Sequence, residues 1–202
     1  MPSFFGEALA GDLILASASP RRRELLAQID VHVDSIRPAD TDENALPSEL
    51  PRDCVRRLAR TKAEAILADS SDWVLAGDTV VAVGRRVLGK PRDRAEAEAF
   101  LRLLSGRRHK VLTSIFLRHG ERFWQRTVET VVKFKQLSDA EIGGYLSSEE
   151  WQGKAGGYAI QGRAAAFIPW INGSYTNVVG LPLSETHALL EGAGWKPSGA
   201  TR

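Results

Sequence analysis

The stretch SASPRRRELL, residues 17–26, changes character within ten positions. The apolar run Leu13–Ala16 before it reads as a short buried strand. Ser19 is the expected N-cap of a helix, and Pro20 fits its first turn. Leu25, Leu26 and Ile29 give that helix an apolar face, and it is expected to reach about Gln28. Between cap and apolar face stand Arg21, Arg22 and Arg23. A helix N-terminus is already positive, so cations are disfavoured there and anions favoured. Arg21 and Arg22 start on the inward side, one turn above the apolar residues, while Arg23 points outward. The three can be surface arginines whose stems cover apolar surface. They can equally form an anion cradle, in which helix amides and two arginines surround phosphate oxygens.

Outward from this stretch, strand and helix patterns alternate. Val31–Arg37 alternates like a strand, and residues 38–51 form a polar loop with three prolines, long enough to carry function. A helix is expected over Asp53–Ala68 and a buried strand over WVLAG, residues 73–77. Residues 79–88 read as a hairpin around Gly84 and Arg85. Asp93, with Glu96 three residues on, opens a helix that ends near Ser105 and Gly106. Two strands meet around His119 and Gly120, and Ser138 with Glu141 opens another helix. GKAGGYAIQG, residues 153–162, is glycine-rich with a strand-like middle. AAAFIPWI and NVVGLPL add strand or loop pieces before a last helix around Ser184–Leu190. Interspersed helices and strands point to an α/β or α+β architecture.

The chain has 202 residues, 43% hydrophobic and 26% charged, with a formal net charge of +2. That composition fits a globular domain with a substantial core, and so small a net charge argues against a nucleic-acid partner. A single cysteine, Cys54, excludes an internal disulfide, and no cysteine–histidine spacing points to zinc. The first residues lack a basic region and carry Glu7 and Asp12, so no secretion signal is expected, nor a membrane span, and the expected location is the cytoplasm.

Lys62 and Asp78 break the apolar patterns, and the long loop adds two acidic residues. Lys62 falls on the stripe of Val55 and Leu58, where it either snorkels to solvent or enters a polar pocket shared with the arginines. Asp78 ends the apolar WVLAG strand, where a turn aspartate caps its own backbone or a carboxylate does chemistry. Asp42 and Glu43 in the long loop are either solvated or a second carboxylate contribution. Lys90 sits in a rigid turn between Gly89 and Pro91, and Lys154 stands beside glycines that let backbone approach a ligand. There is no GxxxxGK[ST] phosphate loop and no GxGxxG after a strand, and the four histidines have no ligand spacing.

SASPRRRELL, RLARTKAEA, AGDTVV, LGKPRD, LSGRRHKVLT, GKAGGYAIQG and INGSYTNVVGLPL occur in the order and approximate spacing of the Maf proteins. From Leu13 to about Leu190 the chain resembles that family. The resemblance implies an α/β fold of the Maf and inosine-triphosphatase type: a long, twisted mixed sheet with flanking helices and a cleft between two lobes. The whole chain, 1–202, is then one domain, with residues 1–12 and 196–202 as peripheral tails. It also implies metal-dependent hydrolysis of a nucleoside triphosphate to the monophosphate and pyrophosphate, with Mg²⁺ or Mn²⁺, in a homodimer.

On that resemblance Ser17, Arg21 and Arg22 bind phosphates. Lys62 and Lys90 add charge beside the catalytic Asp78, which activates water and helps hold the metal. Glu43 matches a further metal or water ligand, with Asp42 directly before it as the other acidic residue of the loop. AIQG with Gln161 resembles the subgroup acting on dTTP and UTP. A glutamine amide presents one donor and one acceptor end, matching the N3–H and carbonyl of uracil or thymine. Thr79 is placed to contact base or sugar. Gly77 and Gly157 depart from the commonest motif forms without removing a functional group. The alternatives are a 7-methyl-GTP or broad pyrimidine enzyme, or a non-catalytic nucleotide-binding regulator of septum formation.

Overall fold

A computed structural model describes residues 11–197. The elements are β1 (Leu13–Leu15), α1 (Pro20–Ala27), β2 (Ser35–Ile36), α2 (Pro51–Glu64), β3 (Trp73–Val83), β4 (Arg86–Leu88) and α3 (Arg94–Leu104). They continue with β5 (Arg108–His119), β6 (Arg122–Lys133), α4 (Asp139–Ser147), β7 (Trp170–Asn172), α5 (Tyr175–Val179) and α6 (Leu183–Ala193). The seven strands form one mixed sheet in the order β2-β1-β3-β5-β6-β7, with β4 also paired to β3. β1 runs parallel to β2 and β3, and the remaining pairings are antiparallel. The architecture is α/β with helices around a mixed sheet, as expected.

Period two along β3 sorts the core. Val74, Ala76, Val80 and Ala82 face α2, with Ala59, Ala63, Val55 and Leu58 across from them. Trp73, Leu75 and Val81 face the other side, where α1 and α6 pack at one end and α3 and α4 at the other. Burial of these residues is the dominant favourable contribution to the fold.

Several boundaries differ from expectation. β3 does not end at Gly77: it continues to Val83 because β5 stays in register beside it, pairing Asp78 with Ser114 and Thr79 with Thr113. Asp78 is therefore a mid-strand residue, not the end of a strand. Only Ser35–Ile36 of the 31–37 segment pairs, and the helix expected to Ala68 ends at Glu64. The middle of 153–162 is not a strand. Gly156 and Gly157 both take positive φ, 69° and 71°, which breaks an extended run and makes a 3₁₀ turn at Ala155–Gly157. Ser19 holds the N-cap position of α1, but its side chain caps nothing; Ser17 Oγ instead accepts from the Ser19 amide at 3.2 Å. Ser138 and Glu141 form the full capping box at α4, and Asp93 Oδ1 accepts from the Glu96 amide at 2.7 Å at α3. The tail residues 1–10 and 198–202 lie outside the described residues.

Candidate functional site

The site lies where β1 stops. β1 pairs with β3 only as far as Leu15 opposite Leu75, and β4 joins the same edge of β3 only from Val81 onward. Between them, among the described residues, residues 77–80 of β3 have no strand on that edge. The β1–α1 turn and the first turn of α1 bring Ser17, Arg21 and Arg22 to this gap, past the carboxyl end of β1, where open α/β sheets favour ligand sites.

Arg22 is buried and turned inward. Its Nε donates to the Gly180 carbonyl at 2.9 Å, Nη1 to Ser17 Oγ at 2.9 Å and Nη2 to Thr79 Oγ1 at 3.4 Å. Burial pulls its pKa down, and the negative field of Asp78 opposes that shift. A Cβ added at Gly77 would lie 3.4 Å from Arg22 Nε, so alanine there meets only ordinary contact. Arg21 is half-buried, its pKa is lowered by desolvation, and it forms no ion pair among the described residues. Arg23 is exposed, as its outward position predicts.

On the α2 face of β3, charge is arranged as a chain. Lys62, 6% exposed, does not snorkel: its Nζ donates to Asp78 Oδ1 at 2.5 Å and to Glu43 Oε1 at 2.6 Å. Lys90 donates to the other oxygen of Glu43. Asp78 is itself only 6% exposed, so its buried carboxylate depends on the Lys62 ammonium for charge compensation. Burial pushes the Glu43 carboxyl up, but hydrogen bonds from Lys62 and Lys90 outweigh it and hold its pKa at about 2. Asp42 folds away, accepting from the Asn44 amide at 2.9 Å and the Asn44 side chain at 2.7 Å. The structure thus brings Glu43, and not Asp42, to Asp78.

On the opposite face Thr79 lines a narrow cavity with Arg21, Val81, Lys154, Tyr158 and Gln161. Thr79 and Thr113 hydroxyls are 2.9 Å apart, and Thr113 donates onward to the Asn177 carbonyl at 2.9 Å. Lys154 and Tyr158 join this cavity without having been assigned to the site from sequence. The signal was present in GKAGGYAIQG, whose two positive-φ glycines turn Lys154 and Tyr158 toward Arg21 and Thr79. Among the described residues Lys154 Nζ donates only to the Gln152 carbonyl, at 3.0 Å, and burial and the charge of Arg21 lower its pKa. The nine residues given catalytic or binding roles on the resemblance fall around this stretch of β3, in two groups on opposite faces, while Asp42 turns to Asn44. Cys54 is buried on α2 with its thiol pushed up to about 11 by burial, in keeping with an inert thiol.

Glu43 and Asp78 suit a hard divalent cation. Both present carboxylate oxygens to one point, which the Lys62 ammonium already occupies as a cation. Among the described residues no three histidine, cysteine, aspartate or glutamate side chains cluster for a metal. Two carboxylates are nevertheless enough for Mg²⁺ when substrate phosphates and water complete the shell.

Residues 12–193 match the family model described as Maf-like protein. The chain belongs to the Maf family. A dTTP/UTP pyrophosphatase from Roseobacter denitrificans is 60% identical over 183 residues, covering 91% of this chain and 97% of that protein. One from Cereibacter sphaeroides is also 60% identical, covering 90% and 95%. One from Rhodospirillum rubrum is 56% identical, covering 93% and 90%. Among solved structures, a HAM1 protein from Coxiella burnetii is distantly similar, with a TM-score of 0.42, 16% identity, and coverage of 62% of this Maf chain and 73% of that one. Among the described residues no helix of this Maf protein is long and apolar enough to cross a membrane.

Proposed function

We propose that this Maf protein hydrolyses dTTP and UTP to the monophosphate and pyrophosphate. The observation that carries the reading is the meeting of two half-sites at the open stretch of β3. The Lys90–Glu43–Lys62–Asp78 chain lies on one face, and Arg21, Arg22, Thr79 and Gln161 gather toward the other. The relatives named dTTP/UTP pyrophosphatase support the same substrate class.

The charge balance suits a triphosphate. Arg21, Arg22 and Lys154 carry positive charge without an ion pair among the described residues, while Lys62 and Lys90 are balanced by Glu43 and Asp78. Arg22, with its guanidinium fixed by Gly180, Ser17 and Thr79, offers a pre-set fork to phosphate oxygens. Ser17 Oγ accepts from Arg22 and from the Ser19 amide, which leaves its own proton to donate to phosphate.

Water adds to the α-phosphorus, the bond to the bridging oxygen of the β-phosphate breaks, and pyrophosphate leaves with that oxygen. Asp78 orients the water and accepts its proton. Arg21, Arg22, Lys62 and Lys90 neutralise the charge that grows on the leaving group. Glu43 and Asp78 would hold a divalent cation, Mg²⁺ or Mn²⁺. When bound, that ion supplies further charge neutralisation and lowers the pKa of water. On the other face Gln161 and Thr79 meet the base and sugar. The family resemblance extends the reading to a homodimer in the cytoplasm, in which nucleotide pools are cleared of surplus triphosphate.

The test is pyrophosphate release from a panel of nucleoside triphosphates, 7-methyl-GTP included, with Mg²⁺ or Mn²⁺. Release led by dTTP and UTP is expected. Release led by 7-methyl-GTP would overturn the substrate reading and keep the chemistry, and no release from folded protein would favour the regulator. Asp78→Asn should lower turnover by about 10²–10⁴-fold while the protein stays folded. Full turnover in that variant removes Asp78 from the chemistry.

A further inference from the structure

The LSGRRHKVLT motif contains a histidine that the proposed chemistry does not use. His109 lies on β5, 2% exposed, and Tyr158 is 5% exposed beside it. His109 Nε2 and the Tyr158 hydroxyl are 2.8 Å apart. Both rings sit edge-on to Phe134, with centroids 5.1 Å and 4.9 Å away, and edge-on to each other at 5.4 Å. The other ring nitrogen, Nδ1, is buried and has no hydrogen-bond partner among the described residues.

One hydrogen bond joins the two side chains, and its direction follows the imidazole tautomer. Burial also lowers the His109 pKa to about 4, so the ring is neutral and able to accept at neutral pH.

This pair is costly for a core. A leucine–phenylalanine pair would fill the same apolar cluster with no unpaired nitrogen. What the hydrogen bond adds over such packing is direction: it fixes where the Tyr158 ring stands. That ring walls the cavity shared by Arg21, Thr79 and Gln161. Tyr158 also anchors the segment that carries Gln161. That segment is pinned on one side by the Gly156 amide donating to the Gly89 carbonyl at 2.9 Å and on the other by the Ala159 amide donating to the Tyr145 hydroxyl at 3.2 Å. Between these two pins, His109 is the side chain that hydrogen-bonds Tyr158.

We infer that His109 is a positioning residue for the nucleoside end of the substrate, acting through Tyr158 to hold the cavity wall and the Gln161 segment in place. The inference rests on the proposed reading of the cavity as the place of base and sugar. The experiment measures Kd for a non-hydrolysable α,β-imido dTTP in the wild type, His109→Leu, His109→Gln, Tyr158→Phe and the double variant His109→Leu/Tyr158→Phe. Circular dichroism and melting temperature confirm that each is folded.

His109→Leu and Tyr158→Phe should each weaken binding by about tenfold, the effect of one well-placed hydrogen bond. The double variant should be no weaker than either single one, because both remove the same bond. His109→Gln, whose amide can still hydrogen-bond the hydroxyl, should restore most of the affinity. Folded His109→Leu with wild-type affinity overturns the inference, as does additive weakening in the double variant or failure of His109→Gln to rescue. Gln161→Ala with dTTP and dCTP analogues judges the base reading separately. If it leaves the preference between them unchanged, the base assignment fails, while the His109 series still stands or falls on the affinity it reads.

Discussion

The neutral, buried state of His109 makes the fold sensitive to mild acid in a window where few other groups contribute. Burial lowers its pKa from the ordinary 6.5 to about 4. The unfolded chain therefore takes up a proton below about pH 6.5, while the folded protein resists it down to about pH 4. Stability rises with pH wherever the unfolded state binds more protons, so stability is lost as pH falls through this window and levels off below it. The full separation corresponds to about 3 kcal/mol, and about 2 kcal/mol of it is lost between pH 7 and pH 5. The carboxylates held near 2, Glu43, Glu49 and Glu141, lose their contribution only below about pH 4.5, outside this comparison. Urea unfolding at pH 7 and pH 5 should therefore show a fall for the wild type that is about 2 kcal/mol larger than for His109→Gln, which cannot titrate. Equal falls in the two proteins would refute the assignment of His109 as a buried neutral base.

Other expectations follow from the same contacts. Lys62→Met leaves the buried Asp78 carboxylate without its ammonium and should destabilise the fold by about 3 kcal/mol in denaturant titration, with Lys62→Met/Asp78→Asn recovering most of it. Gly156→Ala should cost about 1–3 kcal/mol in thermal unfolding, because its φ is 69° and a Cβ would stand 2.8 Å from a Val81 methyl carbon. Gly77→Ala should shift stability by less than about 0.5 kcal/mol and keep activity, since its nearest new contact is at 3.4 Å. Gln161→Glu should lower kcat/KM for dTTP and UTP relative to 7-methyl-GTP in the nucleotide panel, because a carboxylate cannot donate to a pyrimidine carbonyl.

Much of this was legible in the sequence because local rules act over few residues. The arginines of α1, the capping box at Ser138 and the hairpin turns at Gly84 and Gly120 each depend on neighbours within a turn of chain. Lys62 was conspicuous because a helix repeats every 3.6 residues and a charge on the apolar stripe stands out. The errors came where distant partners decide. Asp78 reads as a strand end from its own segment, and only β5, more than thirty residues on, keeps it in the sheet. AGGYAI reads as extended because its residues are apolar, yet positive φ at two glycines and the absence of a strand neighbour make it a turn. The choice between Asp42 and Glu43 needed the loop's path past Lys62 and Lys90, which no local pattern encodes.

The placement of Asp78 in mid-strand has a consequence that a strand-end position would not. Successive residues of a strand point to opposite faces, so Asp78 and Thr79 look away from each other, one toward the ion chain on α2 and the other toward the cavity with Gln161. A single ligand can reach both only where the strand edge is uncovered, and β1 and β4 leave that edge open at residues 77–80. Arg22 fills the opening from the side, donating to Thr79 while feeling the field of Asp78. The ion chain and the cavity thus occupy different faces of one strand and share its register. A slip of β3 by one residue would exchange the two faces and place threonine against Lys62 and the carboxylate in the cavity. That register is held by ten consecutive pairs with β5, from Trp73 opposite His119 to Ala82 opposite Lys110. This pairing holds Asp78 toward Lys62 and Thr79 toward the cavity.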